Sequence, residues 1–244
     1  MAKSTLLTLL STFCAAAALA ADPAPPPPPW TTSIGLGLAF TSGNSDTRSY
    51  NLTFATKYDP KTKLVFKADA LYLRGSANGV TQTDKASADA REEYALSERT
   101  FAFAEVSYLR DPFKDIRYFI APLAGGGYRI LKSDTRNLTV DAAAGAAIES
   151  NGTTGRSNGG ALKAGENFDW ALSKTSKITQ KLTGIWKTSD FADALYHFDA
   201  GLATHVAAHA DLTLSYVYDY KNKPASATVK KGDSALFAAL LFKF

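Results

Sequence analysis

Hydrophobic residues alternate with polar or small ones through most of this chain. In the first such segment Ile34, Leu36 and Leu38 share one face, while Gly35 and Gly37 share the other. A period of two is typical of a β-strand with one apolar face. After residue 20, no run of apolar residues approaches the roughly 20 that a membrane-spanning helix needs. The pattern therefore excludes a helical membrane protein and favours an all-β fold.

The composition narrows the class of β-protein. The chain has 244 residues, of which 45% are hydrophobic and 20% charged, and its mean hydropathy is -0.13. That apolar content is too high for a disordered chain, and a net charge of +4 with mixed signs argues against nucleic-acid binding. A transmembrane β-barrel spreads its apolar residues singly along alternating strands. We therefore predict an antiparallel transmembrane β-barrel surrounded by outer-membrane lipid.

Residues 1–20 have the features of a secretory signal peptide. Lys3 supplies a positive start, residues 6–18 are apolar, and Ala18-Leu19-Ala20 forms a small-x-small cleavage pattern. We predict that the chain is exported and cleaved after Ala20.

The rest of the chain then divides into two parts. Residues 21–29 form a proline-rich leader, and residues 30–244 form the barrel. A retained membrane anchor is the alternative at the N-terminus, and Phe13 disfavours lipidation at Cys14. Because Cys14 is the single cysteine, the mature chain has no thiol chemistry.

Turn signals divide the barrel region into twelve strands. The predicted strands span 31–40, 47–58, 63–73, 85–96, 100–109, 117–130, 137–149, 158–172, 176–186, 196–206, 212–220 and 232–244. The fifth and sixth are the least regular, because Phe101 and Phe103 fall on the opposite face from Val106 and Pro122 interrupts the sixth.

The connections between the predicted strands differ on the two sides of the barrel. Those after odd-numbered strands average 8.5 residues, and those after even-numbered strands average 4.2. Outer-membrane barrels have long loops on one side and short turns on the periplasmic side. With an even number of strands, both termini are then expected to be periplasmic.

The last predicted strand ends in an aromatic residue. Phe244 and Phe242 share one face with Leu240 and Leu236. In outer-membrane barrels, a terminal strand of this form resembles the signal that the barrel-insertion machinery reads. The sequence therefore predicts that machinery as a partner during biogenesis; an ordinary edge strand that ends in Phe is the alternative.

Three short motifs carry a resemblance to a known family. Thr41, Ser42, Gly43 and Asn44 follow the first strand, Asp111-Pro112-Phe113 follows the fifth, and Gly125-Gly126-Gly127-Tyr128 lies within the sixth. With these motifs, nearly all of the mature chain resembles the family of salt-induced outer membrane proteins, also called domain of unknown function 481. The resemblance implies an outer-membrane barrel, a link to salt or osmotic stress and no established activity, and it supplies no catalytic residue.

The glycines in these motifs have structural explanations. Gly43 and Asn44 tolerate the positive φ values of tight hairpins. The run from Gly125 to Gly127 lacks the helix and the Lys-Ser/Thr pair of a phosphate loop, so close packing within a strand is favoured.

Histidine offers few candidates for a chemical site. His197, Asp199 and His205 fall on the inward face of the tenth strand, and Asp219 is inward on the eleventh. This spacing predicts a solvated polar cluster in the lumen and demands no metal, cofactor or catalytic role. None of the three histidines begins a His-x-Ser pattern. The sequence therefore offers no serine nucleophile with a histidine base beside it. We therefore predict that the protein is not an enzyme.

The charges on the inward face nearly cancel. The inward cations are Lys57, Lys67, Lys85, Arg91, Lys163, Lys177, Lys181 and Lys243, and the inward anions are Asp69, Asp89, Glu93, Asp141, Glu149, Asp169, Asp199, Asp219 and Asp233. A strongly selective pore concentrates one sign, so this wall predicts charge pairs that span the interior. Glu166 instead falls on the lipid face, which indicates a position near the membrane interface or a local error of register.

Aromatic residues near the predicted strand ends fit two interfacial girdles. They are Trp30, Tyr58, Tyr94, Tyr128, Trp170 and Trp186. Twelve strands lie between filled barrels of about 8 and open porins of about 16–18. We predict a narrow, weakly selective passive channel for small solutes or ions, or a structural component of the envelope. A barrel enzyme acting on lipid or a small molecule, and a soluble periplasmic β-protein with a ligand cavity, are the alternatives.

Overall fold

Twelve antiparallel strands close into a single barrel. This computed structural model describes residues 29–41, 47–153, 155–224 and 229–244, so the predicted signal peptide, nearly all of the leader and residues 42–46 lie outside the described residues. The strands are β1 Trp30–Thr41, β2 Thr47–Tyr58, β3 Leu64–Ala77, β4 Val80–Ala95, β5 Thr100–Asp111, β6 Ile116–Lys132, β7 Arg136–Asn151, β8 Gly155–Ala171, β9 Ser176–Lys187, β10 Asp190–Ala207, β11 Ala210–Lys221 and β12 Gly232–Lys243. All twelve predicted strands are confirmed.

Each strand pairs with its neighbours in sequence, and β1 closes the ring by pairing with β12. That last ladder is short: it joins residues 33–36 of β1 to residues 240–243 of β12. Thr32 and Phe244 extend it: the backbone N–H of Phe244 donates to the Thr32 carbonyl oxygen at 2.9 Å, and the N–H of Thr32 donates to the Phe244 carbonyl oxygen at 3.2 Å. The ladder that closes the barrel therefore lies at the end where β1 begins and β12 ends, which we call the proximal end.

The opposite, or distal, end has shorter connections than the sequence predicts. The predicted connection over residues 74–84 is a two-residue turn at Asn78 and Gly79, and residues 188–189 join β9 to β10. Asn78 and Gly79 have φ values of 50° and 78°, as a tight hairpin turn requires. The predicted contrast in loop length is wrong at these connections, because β3, β4 and β10 continue as paired strands past the expected turn residues.

Only one short helix occurs in the described part of the chain. It is a 3-10 turn at Pro112–Lys114, between β5 and β6, capped by the Asp111 carboxylate. The described ranges contain no helix long and apolar enough to cross a membrane.

The outer face of the barrel carries an apolar belt between two groups of aromatic residues. Belt side chains such as Leu36, Leu52, Leu182 and Leu214 are 45–51% exposed. Trp30, Tyr58, Tyr94, Tyr128 and Trp170 lie at the proximal end, while Tyr72, Trp186, Tyr196 and Tyr220 lie toward the distal end. Trp30 and Tyr58 pack with ring centroids 4.7 Å apart, and Trp186 meets Tyr196 edge-on at 5.9 Å. The predicted girdle residues thus sort to the two ends of the strands.

Glu166 lies within this belt, and both explanations that the sequence suggested for it are wrong. Its pairing with Val140 on β7 and Leu182 on β9 belongs to continuous ladders, so there is no register error. It also lies four residues along β8 from Trp170, which is about 10 Å inside the girdle at the rise and tilt of a membrane strand.

In β5 the apolar residues do not all face the lipid. Phe101 and Phe103 point into the barrel and are 2% and 5% exposed, whereas Val106 faces outward and is 47% exposed. Space for these rings comes from the glycine run on β6, since a Cβ on Gly127 would lie 2.1 Å from the Phe101 ring. The glycines therefore serve close packing inside a strand, as predicted.

Substitution of Gly125 tests this packing. A Cβ on Gly125 would lie 2.0 Å from the Ala142 carbonyl oxygen, whereas a Cβ on the outward Gly126 meets nothing closer than 3.5 Å. We expect Gly125→Ala to lower the free energy of unfolding by about 1–3 kcal/mol. The control Gly126→Ala is expected to stay within about 0.5 kcal/mol. Urea unfolding of the refolded barrel measures both, and equal losses would contradict the packing described here.

Candidate functional site

The interior of the barrel is partly filled and partly hollow. An apolar core lies inside β5 to β8; it consists of Phe101, Phe103, Ile116, Phe119, Ala121, Leu123, Ala143, Ala147 and Ala161. Leu109, Ile185 and Leu195 pack against it. Beside this core the open space lies along β9 to β12 and β1 to β4, and at the proximal end it also extends along β5 to β8.

Arginine side chains cover the proximal surface of this core. The guanidinium of Arg91 lies 3.6 Å from the ring centroid of Phe103, and that of Arg129 lies 4.7 Å from Phe101. Arg91 also forms ion pairs with Glu93 at 2.9 Å and Glu105 at 3.0 Å. Cations stacked on aromatic rings thus form the boundary between the apolar core and the polar lumen.

Two adjoining cavities occupy the open part of the interior. The proximal cavity, of about 1020 Å³, is lined by Lys67, Arg91, Arg129, Asp141, Lys177 and other polar side chains near the proximal end. The central cavity, of about 770 Å³, is lined by Asp69, Lys85, Lys114, His197, Asp199 and Asp219 among others. Asp69, Asp89, Lys163, Asn167, Asp169, Lys177, Lys181 and Thr183 line both cavities.

The boundary between the two cavities is an ion pair that crosses the lumen. Lys181 on β9 lies 3.4 Å from the Asp89 carboxylate on β4, five strands away around the barrel. Asp69 is the direct cross-strand neighbour of Asp89, and Asp199 is that of Lys181. Neither Asp69 nor Asp199 forms a hydrogen bond or ion pair within the described ranges. This level of the lumen is therefore acidic, with one cation at its centre.

Further ion pairs connect distant strands toward the distal end. Lys85 on β4 pairs with Asp219 on β11, and Lys221 on β11 lies 2.6 Å from Glu149 on β7. Glu149 also pairs with Lys187 and is completely buried. These contacts are the charge pairs across the interior that the balanced signs predict.

The 3-10 turn supplies a constriction at the distal end. Lys114 is 3% exposed, and its Nζ donates to the Asp219 carbonyl oxygen at 2.8 Å and lies 3.3 Å from the Asp233 carboxylate. β5 and β11 are six strands apart, so the turn and this side chain together bridge the lumen. The turn between β5 and β6 therefore narrows the lumen from the distal side.

The structure brings together three of the four residues in the predicted polar cluster. His197 Nδ1 lies 2.9 Å from the Asp219 carboxylate, and Asp199 lines the same cavity. His205 lies eight residues further along β10, at the proximal rim, where it contacts Asp211 at 3.0 Å. The described residues contain no group of three or more His, Cys, Asp or Glu side chains placed to hold a metal ion.

A carboxylate in a connection stabilises each rim of the barrel: Asp59 at the proximal rim and Asp115 at the distal rim. Hydrogen bonds from Lys57 and Lys61 lower the pKa of Asp59 to about 2, against a small opposing effect of burial. Asp115 accepts hydrogen bonds from the backbone N–H groups of Gly152 and Thr153 at 2.8 and 2.9 Å. Bonds from Thr153, through its side chain and backbone, lower the pKa of Asp115. Both carboxylates therefore stay ionised at neutral pH.

Sequence reasoning missed several lumen charges. Glu105 is missing from the predicted inward anions, because the parity of β5 is ambiguous; it shares the inward face with Phe101 and Phe103, and Lys163 pairs with it inside the barrel. Lys114, Lys187 and Lys221 lie at or beyond the predicted strand ends. The signal that could have indicated Lys114 is the Asp111-Pro112 pair, which favours a helical turn directly after β5.

Two other predicted sites are not settled by the structure. Ser42, Gly43 and Asn44 of the turn motif lie outside the described residues, and the backbone of Thr41 ends β1. Phe242 and Phe244 are 45% and 75% exposed at the proximal end of the barrel. Their role as an insertion signal stays a prediction.

A closed twelve-stranded barrel with an apolar outer belt and a charged lumen has the architecture of the outer-membrane β-barrels. The family model described as "Protein of unknown function, DUF481" matches residues 34–244. The chain belongs to this family, as its motifs indicate. No curated protein matches the chain.

Three solved barrel structures are similar to this chain. An outer membrane channel from Pseudomonas putida F1 is 15% identical with a TM-score of 0.52, and the match covers 92% of this chain and 100% of that one. The NanC porin is 8% identical with a TM-score of 0.48, covering 87% and 97% of the two chains. The KdgM porin with oligogalacturonate is 9% identical with a TM-score of 0.47, covering 88% and 99%. The Pseudomonas structure confirms the barrel fold.

Neutralising Glu149 tests how much the charge pairs in the lumen contribute to the free energy of unfolding. Glu149→Gln removes the buried carboxylate that Lys187 and Lys221 share and leaves Asp193 as their acidic partner, so we expect a loss of about 1–3 kcal/mol in the free energy of unfolding. The control Asp84→Asn removes the partner of the exposed Arg110 on the outer face and is expected to cost about 0–1 kcal/mol. Urea titration of the refolded proteins measures both variants. A loss for Glu149→Gln no larger than that of its control would contradict a structural role for the pair.

Proposed function

We propose that this protein is a non-enzymatic outer-membrane channel with a narrow, weakly selective pore through the open part of its barrel. The observation that carries the proposal is the pair of cavities that adjoin at Lys181 and Asp89. Charged side chains line both cavities. A row of such side chains favours the passage of water and ions.

The apolar belt supports the placement in the outer membrane. Its side chains are spread around the barrel and exposed, which a soluble protein avoids over so large an area. In the proposed orientation the proximal end, where β1 begins and β12 ends, faces the periplasm, as the sequence predicts for both termini of an even-stranded outer-membrane barrel. A soluble periplasmic protein with a ligand cavity is the competing proposal; recovery of the folded protein in the detergent-free periplasmic fraction would favour it.

The lumen charges support weak selectivity with a preference for cations. Most lumen charges are paired, so neither sign dominates the whole path. Asp69 and Asp199 at the level of Lys181 are the exception, and they add negative potential at the narrow point between the cavities. An anion therefore meets a higher barrier there than a cation of similar size.

A barrel enzyme is the second competing proposal. His197 and Asp219 are close enough to act together, but no serine or threonine hydroxyl bonds to His197 within the described residues. Replacement of His197 with Ala or Asp199 with Asn tests the idea against esterase and phospholipase substrates. Loss of a measurable activity in both variants would favour an enzyme over a passive channel.

The link to salt or osmotic stress also stays a proposal, which rests on the resemblance to the family. Protein abundance in the outer-membrane fraction after a shift to high salt tests it. A rise relative to an unrelated porin is expected, and an unchanged level would remove the link for this chain.

Conductance in a planar bilayer is the direct test of the channel. The refolded mature protein is expected to give discrete unitary steps, with a small reversal potential of cationic sign across a salt gradient. Lys181→Ala is expected to raise the unitary conductance and strengthen the cation preference, because it removes the side chain that crosses the lumen and leaves Asp69, Asp89 and Asp199.

The control for this experiment is Arg110→Ala, which removes one positive charge from the outer face. It is expected to leave both the conductance and the reversal potential unchanged. Silence from a wild-type barrel that is folded by circular dichroism would overturn the channel and favour a structural role in the envelope.

A further inference from the structure

A polar pair lies in the middle of the lipid-facing belt. Glu166 on β8 alternates with Gly165 and Asn167, which line the proximal cavity, so its own side chain faces outward. Gln180 on β9 faces outward beside it, and its Nε2 donates to the Glu166 carboxylate at 2.9 Å. The lumen does not use this pair, since both side chains lie on the outer face of the sheet.

The surroundings of the pair are apolar. Val140 and Leu182 are the cross-strand neighbours of Glu166, and Phe168 and Ala200 are those of Gln180. Within the described residues no basic side chain forms an ion pair with Glu166. A carboxylate at this depth is expensive in contact with hydrocarbon, and such residues face protein or water in membrane proteins.

The hydrogen bond between the two side chains leaves capacity for a partner. One oxygen of the Glu166 carboxylate and one N–H of the Gln180 amide have no partner among the described residues. The pair thus offers one acceptor and one donor at the same height on neighbouring strands. A two-fold axis along the membrane normal would bring the acceptor of one copy to the donor of the other, which makes the surface self-complementary.

Small side chains beside the pair allow close approach. Ala164 precedes Glu166 on the same face of β8, and Ala142 on β7 is the cross-strand neighbour of Ala164. Ala200 lies next to Gln180 on β10. We propose that the outer face of β7 to β9, centred on Glu166 and Gln180, is the interface of a homodimer in the membrane. In that dimer, Glu166 of each copy accepts a hydrogen bond from Gln180 of the other.

The dimer rests on one part of the proposed function, the placement of the belt in the outer membrane, and it does not require conduction. The two ideas fail in different ways. A barrel outside the membrane would leave the belt cysteines open to a charged, water-soluble thiol reagent. A monomeric barrel inside the membrane would shield them from that reagent and leave them without a cross-link.

Cysteine cross-linking in outer-membrane preparations tests the interface. The single cysteine, Cys14, lies in the predicted signal peptide, so introduced thiols have no background in the mature chain. Leu182→Cys, and as a second site Ala164→Cys, are expected to give a disulfide-linked dimer with a mild oxidant. The control is Leu52→Cys on β2, which is equally exposed and diametrically opposite β8, and it is expected to stay monomeric.

Substitution of the pair tests its role in the dimer. Glu166→Leu removes both symmetry-related hydrogen bonds, and we expect dimer formation in detergent, measured by sedimentation, to weaken about tenfold. The control Glu92→Leu removes an outward carboxylate only two residues from Tyr94 at the proximal girdle and is expected to leave the dimer unchanged.

Three results would overturn the proposal. One is a yield of dimer from Leu182→Cys and Ala164→Cys no higher than that from Leu52→Cys. Another is a cross-link to a different protein, which would identify a heterologous partner on this face. The third is an unchanged dimer in Glu166→Leu, which would show that the copies associate elsewhere.

Discussion

Pairing of the backbone around the ring is the constraint on which the rest of this structure depends. Within lipid, a backbone N–H or C=O group without a partner costs several kcal/mol, because no water can replace the lost bond. Eleven of the twelve ladders run along sequence neighbours, and the twelfth joins β1 to β12 over residues 33–36 and 240–243. The chain ends are therefore held where the barrel closes, and Phe244 completes the seam through its bonds to Thr32.

Closure forces the remaining polar groups inward, and the lumen has room for only some of them. The apolar core against the glycine run of β6 fills much of the space inside β5 to β8, which confines the charges to the space around it. Confined charges of one sign would repel, so the chain alternates them: Lys85 with Asp219, Lys163 with Glu105, and Lys221 with Glu149. The same arrangement that stabilises the interior thus gives it little net preference for either sign, apart from the acidic level around Lys181.

The sequence was sufficient for the fold but not for the lumen. Period-two patterning predicts all twelve strands, because each strand has one face in lipid and one in water. It fails at β5, where Phe101 and Phe103 are apolar but point inward. Because part of the barrel interior is apolar, the alternation of apolar and polar residues does not show which face of this strand contacts lipid. It also underestimates β3 and β4, which continue past the belt with polar residues on both faces. Contacts across the lumen, such as that of Lys114 with Asp233, depend on the diameter and register of the ring and have no local signal.

The differences among the cross-lumen pairs indicate which of them can move. Strands held by ladders on both sides cannot shift without breaking backbone bonds, so a change in the lumen must involve side chains or the turn at Pro112–Lys114. Lys221 and Glu149 are 2% and 0% exposed and 2.6 Å apart, which leaves no room for exchange with water. Lys181 and Asp89 are 33% and 34% exposed and 3.4 Å apart, with unpaired Asp69 and Asp199 as alternative partners nearby. Lys181 therefore has other carboxylates to exchange with, and the level where the two cavities adjoin is the most adjustable part of the lumen.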